Sequence, residues 1–185
     1  MTDLAAQYQR KTDKQHVLDN PDTYIGSVEK VDSDQWVYEN DSITLKSIDY
    51  VPGLYKLFDE GIVNCRDHVI RMIQSSAPDK KLVTNIEIEI EEETGKITLI
   101  NDGNGIDVAK HPEENIWIPE MIFGHLRTST NYDKSQKKIV GGKNGFGFKL
   151  VLIWSSWGYI ETIDHTRGLK YTQNFHSFIY SLNFF

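Results

Sequence analysis

The spacing of apolar residues changes along the chain, and each spacing predicts a different element. After Pro52 the apolar positions recur every three or four residues, which predicts an amphipathic helix with proline in its first turn. The apolar stripe consists of Phe58, Ile62, Cys65, Val69 and Met72. The sequence Ser-Ser-Ala-Pro-Asp at 75–79 ends this helix. The pattern therefore predicts one long helix with a single core-facing stripe.

After this helix, apolar and polar residues alternate with a period of two. Residues 85–91 alternate, with Ile86, Ile88 and Ile90 on one face and glutamates on the other, which predicts a strand in a sheet covered on one side. Thr94-Gly95 turns the chain into a second strand, and a further hairpin is predicted over 159–174. Strands are also expected within 34–50, whereas residues 1–14 are polar and expected to be extended or loosely helical. Helices interspersed with antiparallel hairpins indicate an α+β fold.

Composition and charge narrow the class of protein. With 185 residues the chain is long enough for one domain with a substantial core. A formal net charge of −7 disfavours an autonomous DNA-binding surface, because nonspecific DNA affinity comes mainly from Lys and Arg. The single cysteine excludes an internal disulfide and fits a reducing compartment. The sequence has neither a leader-type apolar segment nor a bilayer-length apolar run, so we expect a soluble intracellular protein.

A glycine-rich segment at 140–150 carries the first chemical signal. Four glycines and two lysines precede an apolar stretch that is predicted to be helical. Successive backbone N–H groups in such a loop, together with the positive end of the following helix, can surround a polyphosphate. The spacing does not match a Walker P-loop. From this segment alone, a glycine-rich surface loop without a ligand remains an equal alternative.

Polar residues at helical spacing lie opposite the apolar stripe. They are Glu60, Asn64, Asp67 and Arg71. A solvated helix face is one interpretation. The other starts from Glu60 and Asn64, one turn apart, because a carboxylate beside an amide oxygen can orient an attacking water and hold Mg²⁺.

Two shorter polar motifs allow both a structural and a binding interpretation. Asn101-Asp-Gly-Asn-Gly105 follows a predicted strand and could form a tight turn or contact a purine edge. Thr128-Ser-Thr-Asn131 offers hydroxyls and an amide that suit a ribose or phosphate, or it could form an exposed loop or a cap.

Taken in order, these motifs resemble the Bergerat nucleotide-binding fold of the GHKL ATPases. More narrowly, residues 20–29, 53–60, 118–125 and 141–150 are similar to the N-terminal ATPase region of eukaryotic-type (type IIA) DNA topoisomerase II, and the resemblance extends over roughly residues 8–174. It implies an α+β sandwich in which helices pack on one face of a mixed, largely antiparallel sheet. It also implies ATP and Mg²⁺ as cofactors.

The resemblance assigns a role to each motif. Glu60 corresponds to the general base for the hydrolytic water, and Asn64 to the Mg²⁺ ligand beside the phosphates. Asn101 corresponds to the adenine contact, and Gly105 to the residue that shapes the base pocket. The ribose and phosphate contacts correspond to Ser129, Thr130 and Asn131, and the phosphate lid to Gly142, Lys143, Asn144, Gly145, Phe146, Gly147, Phe148 and Lys149. Tyr8 corresponds to the residue that reaches the nucleotide of the second protomer.

The resemblance also implies partners and domain limits. The complete enzyme would be a homodimer closed through its N-gate and would bind double-stranded DNA through regions absent here, with no membrane contact. We expect an N-terminal arm at 1–14, an ATPase domain at 15–175 that is incomplete at its C-terminal end, and an aberrant or truncated tail at 176–185. The transducer lysine that meets the γ-phosphate is not in the sequence. A nuclear location is expected, or a cytoplasmic viral factory for a large DNA virus.

Alternatives remain open beside this assignment. The chain could be a nucleotide-binding or dimerising remnant without turnover, or another GHKL ATPase. Two departures from the usual pattern also stand out. Gly61 follows the catalytic glutamate where the family has isoleucine, and Phe148 replaces a small alanine after the last loop glycine. Because glycine inside a helix costs about 1 kcal/mol relative to alanine, we expect a weakened turn at Gly61.

Overall fold

The computed structural model describes residues 10–126, 128 and 146–176. The chain divides into two compact units, residues 1–57 and 58–185. Eight of the predicted site residues lie outside the described residues, namely Tyr8, Ser129, Thr130, Asn131, Gly142, Lys143, Asn144 and Gly145. Their roles, and the predicted domain limits, stay predictions.

The first unit contains two short helices and one hairpin. The elements are α1 (Asp13–Asp19), α2 (Pro21–Tyr24), β1 (Val31–Glu39) and β2 (Ser42–Tyr50). The Thr12 hydroxyl caps α1 by accepting a hydrogen bond from the Gln15 N–H. Asn40 and Asp41 both have positive φ at the tip of the hairpin, which is the geometry of a tight turn between twisted antiparallel strands. The strands expected within 34–50 are confirmed.

The predicted long helix, α3, spans Pro52–Gln74, so both of its predicted ends are confirmed. Cys65 on the apolar stripe is buried. Asp67, which sequence reasoning placed on the opposite polar face, is only 7% exposed. The interpretation of that face as fully solvated is therefore wrong at this residue, because α3 is covered there as well.

The second unit adds two hairpins and two helices. The hairpins pair β3 (Ile86–Glu91) with β4 (Lys96–Asn101), and β5 (Trp157–Asp164) with β6 (Leu169–His176). The helices are α4 (Ile118–Gly124) and α5 (Gly147–Trp154). All strand pairing between the named strands of the described part is antiparallel. Both hairpins and the α+β class agree with the sequence prediction.

The isoleucine face of β3 is less covered than its alternation suggests. Ile86, Ile88 and Ile90 are 38%, 44% and 59% exposed. Leu99 lies opposite Ile88 on the same face and packs against α3 at Gly61. The alternation is real, but the expected cover is wrong for the three isoleucines, because a single helix does not extend over the whole hairpin face.

Among the residues that the structure describes, no helix combines the length and apolarity required to cross a membrane.

Candidate functional site

The predicted catalytic helix and the end of the glycine-rich segment meet at Gly147. A Cβ atom at this position would lie 3.1 Å from Glu60 Oε2 and 3.7 Å from Asn64 Nδ2. Gly147 is the first residue of α5, so the start of this helix faces the carboxylate and the amide that project from α3. The absence of a side chain at Gly147 permits the close approach. The structure thus brings together three residues that the sequence assigned to one site.

Asn64 has a defined amide orientation. Its Nδ2 donates to the backbone carbonyl of Glu60 at 2.5 Å, one turn earlier in α3. This bond uses one of the two N–H groups of the amide and leaves the amide oxygen available as an acceptor or as a ligand for a cation. An oxygen in this place is the donor type that Mg²⁺ prefers.

The described residues contain no cluster of three or more His, Cys, Asp or Glu side chains suited to hold a metal ion. In phosphate-transfer sites Mg²⁺ uses one or two protein oxygens together with substrate phosphates and waters. Asn64 is the residue that would hold it. The ion would supply charge neutralisation for the phosphate oxygens.

The two departures from the family pattern, Gly61 and Phe148, lie beside each other. A Cβ at Gly61 would be 2.4 Å from Leu99 Cδ1 and 3.6 Å from Phe148 Cε2. The ring of Phe148 also packs edge-on against Phe123 of α4, with 5.7 Å between the ring centroids. The space left by the missing side chain at Gly61 is therefore occupied by Leu99 and approached by the Phe148 ring. Helix α3 continues unbroken through this residue.

Asn101, the predicted adenine contact, ends strand β4 between two contacts with α3. Leu99 packs against Gly61, and the carbonyl of Asn104 lies 2.8 Å from His68 Nε2. Asn101 and Leu99 are two residues apart and share a strand face. Asn101 is therefore on the α3 side of the hairpin, and its Nδ2 donates to the Asp102 carbonyl. Its predicted contact with adenine stays a prediction.

Asp102 anchors the segment after Asn101. Its carboxylate accepts hydrogen bonds from the Thr84 hydroxyl and from the backbone N–H groups of Thr84 and Asn85. These donors, the hydroxyl first, lower the pKa of Asp102 below its usual value. The loop that follows Asn101 is therefore fixed from its first residue.

Gly105 has a backbone reason to be glycine. A Cβ here would lie 1.9 Å from the Ile163 carbonyl oxygen and 2.8 Å from Thr162 Oγ1. The next residue, Ile106, donates its N–H to Thr162 Oγ1 at 2.8 Å. The structure thus brings Gly105 against strand β5, where no larger residue fits, and its predicted contribution to a base pocket stays a prediction.

Asp164 is a structural residue that sequence reasoning missed. It is 3% exposed, and its carboxylate accepts hydrogen bonds from the Val108 N–H, the Thr166 N–H and hydroxyl, and the Arg167 N–H and guanidinium. Burial alone would raise the pKa of Asp164, but these donors outweigh it and lower the pKa far below its usual range. The Asp-x-Thr-Arg-Gly sequence at 164–168 was the available signal, because an aspartate that accepts from N–H groups two and three residues later is typical of such turns.

Lys149, in the first turn of α5, is only 5% exposed. Its Nζ donates to the Thr128 carbonyl at 2.8 Å and to Thr128 Oγ1 at 2.6 Å. Burial lowers the pKa of Lys149 to about 8. The Lys149 ammonium, which belongs to the predicted phosphate lid, is thus held by Thr128.

Comparison with known proteins decides the family. A family profile described as "Histidine kinase-, DNA gyrase B-, and HSP90-like ATPase" matches residues 50–176. The chain belongs to this ATPase family. The match contains Glu60, Asn64, Asn101, Gly105 and the whole glycine-rich segment.

Individual relatives show which members of this ATPase family the chain resembles. The chain is 48% identical to DNA topoisomerase 2 of Acanthamoeba polyphaga mimivirus, over 96% of this chain and 14% of that protein. It is 46% identical to DNA topoisomerase 2 of Saccharomyces cerevisiae, over 90% of this chain and 11% of that protein. The chain therefore spans a small part of the length of these relatives.

Solved structures show the same similarity. The ATPase region of Saccharomyces cerevisiae topoisomerase II matches with a TM-score of 0.83 and 44% identity, over 93% of this chain and 44% of that one. The ATPase and transducer domains of DNA topoisomerase II from Balamuthia mandrillaris match with a TM-score of 0.82 and 43% identity, over 92% of this chain and 42% of that one. The fold and family that the sequence motifs implied are confirmed.

Proposed function

We propose that this chain is the ATP-binding and ATP-hydrolysing portion of a type IIA DNA topoisomerase. The observation that carries the proposal is the close approach of Gly147 to Glu60 and Asn64. A glycine-rich segment, a candidate base and a candidate Mg²⁺ ligand come from distant parts of the sequence and converge there. Positioning and charge stabilisation do most of the work in phosphoryl transfer, so such a convergence suits ATP hydrolysis.

In this proposal Glu60 orients and deprotonates the attacking water, and Asn64 holds Mg²⁺ beside the phosphates. Asn101 contacts the adenine, and the segment ending at Lys149 surrounds the phosphates. Glu60 comes from α3 and Gly147 from the start of α5, so the base lies at the end of the segment that would hold the γ-phosphate. The close packing of Gly147 on Glu60 supports this arrangement.

The partners of the complete enzyme follow from the same proposal. It would close as a homodimer in which Tyr8 reaches the nucleotide of the other protomer, and it would pass double-stranded DNA with regions outside this chain. The nucleus is the proposed location, or a viral factory, since the relatives include proteins of eukaryotes and of a mimivirus.

Titration calorimetry with a non-hydrolysable ATP analogue, with and without Mg²⁺, tests the binding roles. Asn64→Ala should weaken Mg²⁺-dependent affinity about tenfold or more, as expected for loss of one contact to a charged group, and leave Mg²⁺-free affinity unchanged. Asn174→Ala, at an exposed position on β6, is the matched control and should bind as the wild type does. No heat with millimolar analogue would overturn the proposal.

Phosphate release at high protein concentration tests the chemistry. Glu60→Gln should retain analogue affinity and lose about 10²–10⁴-fold in hydrolysis rate, because a general base contributes that much. Glu87→Gln, exposed on β3, is the control. Binding without hydrolysis in the wild type would instead support the nucleotide-binding remnant.

A further inference from the structure

Thr128 connects two helices beside the candidate site. Its hydroxyl lies 2.8 Å from the Met121 carbonyl oxygen and 2.9 Å from that of His125, at the C-terminal end of α4. The same hydroxyl accepts a hydrogen bond from Lys149 Nζ in the first turn of α5. A hydroxyl has one proton to donate and can also accept, so it can satisfy α4 and the lysine at once.

Thr128 is a close hydrogen-bond partner of this lysine. A buried ammonium is costly unless it is hydrogen-bonded, and Thr128 provides two acceptors, its hydroxyl and its carbonyl oxygen. Burial also lowers the pKa of Lys149 to about 8, which reflects how strongly water is excluded around it. The position of the Lys149 side chain is therefore tied to Thr128.

The Lys149 end of α5 is also the end that meets the catalytic helix. Gly147, two residues earlier, lies against Glu60 and Asn64. Between these two residues, Phe148 packs edge-on against Phe123 of α4. The first turn of α5 is thus held on one side by α4 and Thr128 and faces the site on the other.

We propose that Thr128 is a positioning residue, whose hydroxyl fixes Lys149 and thereby holds the start of α5 against Glu60 and Asn64. This inference rests on the proposed function. Thr128 acts through Lys149 rather than by contact with the nucleotide. A site already formed before the nucleotide arrives binds more tightly, because less ordering occurs on binding.

The test is a double-mutant cycle on the chain, read out as affinity for a non-hydrolysable Mg²⁺·ATP analogue by calorimetry. Thr128→Val keeps the shape and removes the hydroxyl, and it should lower affinity about tenfold. Thr128→Ser should restore affinity to within about twofold of the wild type. Thr172→Val, exposed on β6, is the matched control and should have no effect.

The second arm uses Lys149→Met. If Thr128 acts through the lysine, Thr128→Val should cause no further loss beyond about twofold in the Lys149→Met background. The double variant removes the buried ammonium together with its hydroxyl partner, so its loss of stability should be smaller than the sum of the two single losses. Equal losses in both backgrounds would overturn the inference, as would a Thr128→Val protein that is less stable but binds normally. Absence of binding in the wild type would instead contradict the proposed function.

Discussion

Adding one methyl group at Gly61 should leave the stability of the protein nearly unchanged, although alanine is the better helix former. The gain in helix propensity is about 1 kcal/mol. Against it, the new Cβ would lie 2.4 Å from Leu99 Cδ1, well inside contact distance, and overpacking of this kind costs about 1–3 kcal/mol. Leu99 Cδ1 is the end of a flexible side chain that can rotate away, which keeps the cost near the low end of this range, so the two effects should cancel to within about 1 kcal/mol of unfolding free energy.

The cause can be isolated by removing Leu99. In a Leu99→Ala background the clash is absent, whereas the Phe148 ring at 3.6 Å is in ordinary contact with the new Cβ. Gly61→Ala should then stabilise by about 1 kcal/mol, which gives a coupling of about 1 kcal/mol between the two positions. Denaturant unfolding of the four proteins measures this value. Stabilisation of equal size in both backgrounds would refute the steric argument.

Three further predictions concern the residues around the site. Gly105→Ala should cost ~3 kcal/mol of unfolding free energy, because its Cβ would meet backbone atoms that cannot rotate away. Gly95→Ala should cost only ~1 kcal/mol, because its Cβ meets open space and the cost comes from the φ of +67°. Similar denaturation midpoints for the two variants would contradict this prediction. The Lys149 pKa of about 8 lies below its unfolded value of 10.5, so the unfolded state binds more protons between these two pH values. The stability of the wild type relative to Lys149→Met should therefore rise over this pH range, by at most about 1.4 kcal/mol per pH unit. Parallel pH profiles of stability for the two proteins would refute this prediction. Asp164→Asn should lower the free energy of unfolding by ~2–3 kcal/mol at neutral pH. This difference from the wild type should shrink as the pH falls below about 3.8, where the unfolded carboxylate becomes protonated. A constant difference down to about pH 2 would show that the charge of Asp164 contributes nothing to stability.

The elements that sequence predicts best are those set by local periodicity. The stripe from Phe58 to Met72 predicts α3, and the alternation at Ile86, Ile88 and Ile90 predicts β3, because each pattern follows from the repeat of its own element. Exposure of the isoleucines could not be predicted in this way. It depends on how far another element extends over the strand face, which alternation does not encode.

Long-range pairs mark the limit of sequence reasoning at the site. Glu60 and Asn64 stood out by their helical spacing and Asn101 by its motif, and the family resemblance gave each a role. The contacts of Thr128 with Lys149 and of Asp164 with Val108 could not be predicted, because they join residues that are distant in sequence. Gly61 and Phe148 looked like two independent departures from the family. The structure makes them neighbours that share one packing region with Leu99.

Replacing Mg²⁺ by paramagnetic Mn²⁺ shows whether Mg²⁺·ATP binds where α3 faces the start of α5. Both ions take oxygen ligands, so Mn²⁺ should occupy the same position on a bound ATP analogue. In NMR spectra of the wild-type chain, the side-chain amide of Asn64 and the backbone amide of Gly147 should broaden when Mn²⁺ and the analogue are both present, while the amide of Asn174 stays sharp. Saturation with the analogue and Mn²⁺ without preferential broadening at Asn64 would contradict the account.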